Sequence, residues 1–98
     1  MYVFLQKESV VQPLVSQVLR SGTSIGANVE EAMGGASRKD FKAKLSIAYK
    51  EARETRYWLL LLKDSDVLDK KLADSMLNDC TEIIKILTSI LNTLQSTQ

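Results

Sequence analysis

Two stretches of this 98-residue chain repeat their apolar positions in alternating steps of three and four. The first runs through Phe41, Leu45, Ala48, Ala52, Thr55, Leu59 and Leu62. The second runs through Ala73, Met76, Cys80, Ile83, Leu87, Ile90 and Leu94. A repeat of this kind keeps one side of a helix apolar over many turns, as in helices that pack nearly parallel or antiparallel. A looser third face, Leu14, Val18, Ile25, Val29 and Ala32, predicts one more helix over 13–33. Pro13 suits its first turn, and Gly34-Gly35 should stop it. Ser37-Arg-Lys-Asp40 resembles a capping box, so the next helix should run from about Arg38 to Lys63. Asp64-Ser-Asp-Val-Leu-Asp69 reads as a connection, with Asp69 capping a last helix over 70–94. Met1–Lys7 is a short apolar stub. The expected architecture is all-α: an antiparallel up-down helical bundle forming one domain over 1–98. Short connections make successive helices antiparallel neighbours.

Composition narrows the class further. Four glycines and one proline are too few for a fold with many tight turns. With 45% hydrophobic and 26% charged residues, the chain is too apolar for disorder and too charged for a membrane protein. The uncharged stretch Val10–Leu19 contains Gln12, Pro13, Ser16 and Gln17, and is too short and polar to span a bilayer. The N-terminus lacks the basic start and apolar run of a signal peptide. One cysteine, Cys80, cannot form an internal disulfide and sits on a seam position, as a small buried hydrophobe would. The expected location is cytoplasmic.

Catalytic parts are scarce. Gly22-Thr-Ser24-Ile-Gly26 matches the letters of a nucleophile elbow, but it lies inside a helical pattern and the chain contains no histidine to act as base. Adjacent Glu30 and Glu31 point about 100° apart, and no Glu-x-x-His pattern accompanies them. The reading is therefore a non-enzymatic protein with no metal, no cofactor and no small-molecule substrate. Gly22 and Gly26, one turn apart, cost a helix roughly 1 kcal/mol each relative to alanine, which points to a close helix contact. Asn28, at the edge of the core face, is expected to fix register by a buried hydrogen bond to a nearby helix.

The faces of the second long helix carry the functional candidates. Arg38, Lys42, Arg53, Arg56 and Lys63 lie about a quarter-turn from the seam, with Tyr49 among them and Lys39 and Lys50 flanking. Between Arg38 and Arg56 there are seven basic and three acidic residues, against a formal net charge of only +1 for the whole chain. One reading is a solvated face, with Lys50–Glu54 as an i,i+4 pair. The other is contact with RNA or DNA phosphates, driven by charge and shape without base readout. Roughly opposite the seam sit Ile47, Trp58 and Leu61, with Tyr57 beside them. Either the N-terminal segment covers this apolar patch or another chain does, as a subunit interface anchored by aromatics.

Three stretches together resemble a known family. They are Arg20-Ser-Gly-Thr-Ser-Ile-Gly-Ala-Asn-Val-Glu-Glu-Ala32, Asp40-Phe-Lys-Ala-Lys-Leu-Ser-Ile-Ala-Tyr-Lys-Glu-Ala-Arg-Glu-Thr-Arg-Tyr-Trp-Leu59, and Asn78-Asp-Cys-Thr-Glu-Ile-Ile-Lys-Ile-Leu-Thr-Ser-Ile90. They resemble the bacterial four-helix bundles encoded in 23S rRNA intervening sequences, often called S23 ribosomal proteins. That family is similar to the accessory protein of diversity-generating retroelements. The resemblance implies a homopentamer and nucleic-acid binding. It also implies a full first helix before Pro13, of which only the stub Met1–Lys7 stands here. Loss of that helix would deprive the long helices of a packing partner and make a partner chain more necessary. Two functions follow as expectations: a homo-oligomeric scaffold or accessory protein that binds RNA or DNA by charge, or an adaptor that docks a partner's helix on an exposed apolar face.

Overall fold

The structure, a computed structural model, describes residues 2–35 and 37–96, and side chains from residue 11 onward. Three helices follow in order: α1 (Tyr2–Met33), α2 (Arg38–Asp64) and α3 (Lys70–Ser96). No strand occurs among the described residues. The all-α class therefore holds, with three helices in place of the four of a complete bundle.

The boundaries of α2 and α3 follow from their caps. Ser37 has extended backbone, and its hydroxyl accepts from the Asp40 amide at 3.1 Å. That satisfies one of the amides the first turn leaves unpaired. The Leu72 amide donates to the Asp69 carboxylate at 3.3 Å and caps α3 in the same way. At the far end of α2, Asp66 takes a left-handed conformation with φ of 56°. The amides of Asp66 and Val67 then bond back to Lys63 and Leu62, as in a Schellman ending. α1 stops without such a residue, because neither Gly34 nor Gly35 has positive φ.

The start of α1 departs from the sequence reading. Residues 2–7 are not a separate stub, and Pro13 lies inside the helix rather than in its first turn. Met1 lies outside the described residues. Proline removes one backbone hydrogen bond, to the carbonyl four residues back. Pro13 is exposed, so that carbonyl lies on a side where water can take the place of the missing donor. The helix continues through the defect.

Packing is pairwise and antiparallel. Ser21 faces Thr55 and Glu31 faces Lys44, so α1 runs against α2. Lys63 meets Asp74, and Arg38 reaches the Leu94 carbonyl, so α3 runs against α2 on its other flank. No Cα of α1 comes within 8 Å of α3. The molecule measures 58 × 21 × 15 Å, with a radius of gyration of 16.1 Å. A compact domain of this length would have about 12–13 Å. Helices in contact lie 8–10 Å apart. Three helices in which only the middle one touches both others fill three corners of a square bundle and leave the fourth open.

The core lies along the inner faces. Ile25, Ala32, Leu45, Ala48, Ala52 and Leu87 are buried together, with Val29, Phe41, Ile84, Ile90 and Leu91 packed against them. Ala48, Ala52 and Ala73 are fully enclosed. The seam positions of α2 inferred from the repeat are buried, except Phe41, which is half-buried.

Candidate functional site

Register between α1 and α2 is set by hydroxyls and ion pairs. Ser21 and Thr55 are buried. Ser21 Oγ donates to the Gln17 carbonyl at 2.8 Å. Thr55 Oγ1 lies 2.8 Å from both Ser21 Oγ and the Glu51 carbonyl, and its one proton serves one of them at a time. Arg20 bridges Glu51 at 3.3 Å and also grips Glu54. Donation to Glu54 is the main reason the Arg20 guanidinium holds its proton more firmly than usual. Asn28, expected to bond a neighbouring helix, instead donates within its own helix, to the Ser24 carbonyl at 2.9 Å and to Ser24 Oγ at 3.1 Å. The residue four positions back was simply closer. Glu54, expected to pair with Lys50, is claimed by Arg20 across the helix interface.

Gly22 and Gly26 have no close neighbour in the chain. A methyl group at either position would meet nothing within 4 Å. Gly22 lies on the wall of the open corner. Along that corner runs a groove between α1 and α3. Its upper part is lined by Gly22, Ile25, Thr55, Leu59, Met76, Asp79, Cys80 and Ile83. Its lower part is lined by Val29, Met33, Phe41, Leu45, Ile83, Ile86, Leu87 and Ile90, all apolar. Within it Met33 is 73% exposed, Ile86 56% and Ile83 37%. The groove runs from Gly22 to Met33 along α1, roughly 17 Å or three turns of helix.

The apolar patch on the far side of α2 is divided. Trp58 and Leu61 are half-buried, whereas Ile47 and Tyr57 are exposed. Trp58 is one turn beyond Glu54, on the side of α2 that Arg20 marks as facing α1. Tyr57 and Trp58 meet edge to face, with centroids 5.1 Å apart. Trp58 Nε1 is buried with no hydrogen-bond partner among the described residues. A second exposed apolar surface is the α1–α3 groove, which spacing within one helix does not reveal. Ile83 lies on the apolar repeat of α3, and no repeat singles out Ile86 or Met33.

The basic stripe is also split by the fold. Lys63, half-buried, pairs with Asp74 at 2.6 Å. Arg38 donates to the Leu94 carbonyl at 3.3 Å. Lys39 and Lys50 are exposed on the outer side of α2, and Lys42 is half-buried. Arg53 and Arg56, both exposed, meet Thr81, Ile84 and Lys85 of α3 around one cleft. Arg53 donates to Tyr49 Oη at 3.2 Å, with its guanidinium 5.8 Å from the Tyr49 ring centroid. Lys85 and Thr81 were not among the sequence candidates, because only the antiparallel register places them opposite Arg53 and Arg56.

Among the described residues no group of three or more histidine, cysteine, aspartate or glutamate side chains is placed to hold a metal ion. Among the described residues no helix is long and apolar enough to cross a membrane. Cys80 is buried against α2, with Sγ donating to the Ala52 carbonyl at 3.1 Å. Burial pushes its thiol above the ordinary cysteine value, with the charge of Arg56 opposing. Folded protein is therefore expected to react slowly with iodoacetamide at pH 8, and protein unfolded in urea rapidly. The raised folded value also means that the native state holds its proton longer than the unfolded chain. Stability should be full below the unfolded value, about 8.5 for a free cysteine, and fall as pH rises through the folded one. Urea titrations between pH 7 and 10 check this, with Cys80→Ala removing the slope.

A family model described as 23S rRNA-intervening sequence protein matches residues 3–89. The chain belongs to the 23S rRNA-intervening sequence protein family. The match takes in most of α1, all of α2 and α3 as far as Ser89. A crystal structure of a protein of unknown function from the S23 ribosomal protein family of Bacteroides thetaiotaomicron VPI-5482 is 52% identical, with a TM-score of 0.77. That similarity covers 80% of this chain and 72% of the Bacteroides chain. No curated protein matches the chain. For a 23S rRNA-intervening sequence protein, then, fold and family are settled by likeness, while function has to be argued from the surfaces.

Proposed function

We propose that this protein is a non-enzymatic scaffold that completes its bundle by association with further copies of itself, and that the assembled form presents a cationic face to RNA or DNA. The observation that carries the reading is the open corner between α1 and α3, with Met33, Ile83 and Ile86 exposed in an otherwise apolar groove. A groove of this shape takes the apolar side of one more helix. Gly22 supports the same reading, since it lowers the groove wall with nothing of this chain above it.

The occupant we assign is a helix of a second copy. Arg20 faces Glu54 and Ser21 faces Thr55, so residues 2–10 of α1 extend past the end of α2. That overhang is roughly 13 Å of helix. Entry of one copy's overhang into the next copy's groove is a head-to-tail contact, and such contacts close into rings when the rotation permits. A pentamer, as the family resemblance implies, would be one such ring. It would array five copies of the Arg53–Arg56 face, and phosphate contacts gain strength together through counterion release.

Size-exclusion chromatography with light scattering tests the assembly. The expected result is a defined oligomer at about 10 μM, a concentration at which specific interfaces of ordinary affinity are formed. A monomer at that concentration that instead captures one other polypeptide through the groove would replace the scaffold with an adaptor.

A further inference from the structure

The cleft between α2 and α3 gathers three cations and a hydroxyl around a small opening. Arg53 and Arg56 come from α2, and Lys85 and Thr81 from α3, with Ile84 as an apolar wall. The opening is about 220 Å³. One water occupies about 30 Å³ in the liquid, so a tetrahedral anion with part of its hydration shell fits.

The charge of the cleft is left uncompensated. The ion pairs among described residues join Arg20 to Glu51 and Glu54, Lys44 to Glu31, and Lys63 to Asp74. None draws on Arg53, Arg56 or Lys85. Arg53 is held by Tyr49, since its guanidinium donates to Tyr49 Oη at 3.2 Å and lies 5.8 Å from that ring's centroid. Holding the fork in this way reduces the side-chain entropy lost when an oxyanion arrives. Two arginines, a lysine and a threonine from two helices line one cleft. A merely solvated face would place its cations apart and pair them with carboxylates.

We propose that this cleft is a phosphate site, taking one backbone phosphodiester of RNA or DNA. The assignment rests on the nucleic-acid part of the function proposed above, and the same chemistry would accept a free phosphate. Arg53 and Arg56 supply charge-assisted hydrogen bonds from one side of the anion. Lys85 and the Thr81 hydroxyl donate from the other. No base edge is engaged, so binding is independent of sequence.

The test uses the full chain and fluorescence anisotropy with a labelled RNA duplex across a salt series. Lys85→Gln should weaken binding on the order of tenfold at about 50 mM salt and lower the log–log salt slope by about one. Lys71→Gln carries the same charge change in the first turn of α3, outside the cleft, and should alter affinity less than about twofold. Both lysines are exposed, and circular dichroism verifies that both variants fold. Equal losses in the two variants would overturn the cleft and leave only diffuse charge. Should the wild-type chain bind neither duplex RNA nor single-stranded DNA at low salt, the nucleic-acid reading falls by itself. Titration with inorganic phosphate, followed by NMR, then decides the cleft separately. Shifts confined to Arg53, Arg56, Thr81 and Lys85 would keep it as a site for free phosphate, and an absence of shifts would overturn it.

Discussion

Replacing Ile83 and Ile86 together with glutamate is expected to leave the chain helical and make it monomeric. Both side chains line the open groove, and they are 37% and 56% exposed in the single chain. Neither is part of the buried cluster that holds the three helices together. The double substitution therefore removes little from the folding of one copy. In an assembled form both isoleucines would be covered, and burying such a side chain is worth about 1.5–3 kcal/mol. Carboxylates in their place would have to be desolvated without partners, which adds a further penalty. The sum corresponds to an increase in dissociation constant of roughly two to four orders of magnitude. Sedimentation velocity over a concentration series reads this directly, with far-ultraviolet circular dichroism as the control for folding. An oligomer unchanged by Ile83→Glu with Ile86→Glu would show that the groove is not the subunit interface, whatever its apolar character.

The second large effect is on stability. Leu59 is 2% exposed and is among the largest fully enclosed side chains. Truncation to alanine leaves a cavity beside helices tied down by the Ser21–Thr55 contact, so little collapse can fill it. Leu59→Ala should cost about 2–5 kcal/mol, a large part of the 5–15 kcal/mol that typical domains possess. The urea midpoint should fall with little change in slope. Leu19→Ala is the matched control, since Leu19 is 62% exposed and its loss should fall within about 0.5 kcal/mol. Both measurements belong at one fixed protein concentration, because association with further copies would stabilise the folded chain by mass action.

The helices and their stops were readable because their causes are local. The seam of α2 follows from the spacing of Leu45, Ala48, Ala52, Leu59 and Leu62, and these residues are buried. Ser37 and Asp69 act as caps because each needs only an amide three residues ahead. Where a local rule had to compete with a neighbour, it sometimes lost. Pro13 sits inside α1 because one missing hydrogen bond on an exposed side can be met by water. Asn28 found its partner in its own helix, and Glu54 found Arg20 across an interface that its intrahelical partner Lys50 could not outbid. The stripe of Arg38, Lys42, Arg53, Arg56 and Lys63 was visible as a stripe. Its division was not, because Asp74 and the Leu94 carbonyl arrive from α3.

By itself the sequence determined where α2 and α3 lie, where both begin to be capped, and which side of each is apolar, but not where α1 starts. These are properties of spacing within a segment, and periodicity reports them directly. Tertiary structure decided that α1 and α3 flank α2 with no close approach of their own backbones, and so left a corner open. It also decided that Lys85 and Thr81 of α3 lie around one cleft with Arg53 and Arg56 of α2. Both outcomes depend on how far one helix slides and rolls against another. That is fixed by a handful of contacts between residues more than thirty positions apart, as in Ser21 with Thr55 and Arg20 with Glu54, and no pattern within a single segment encodes it.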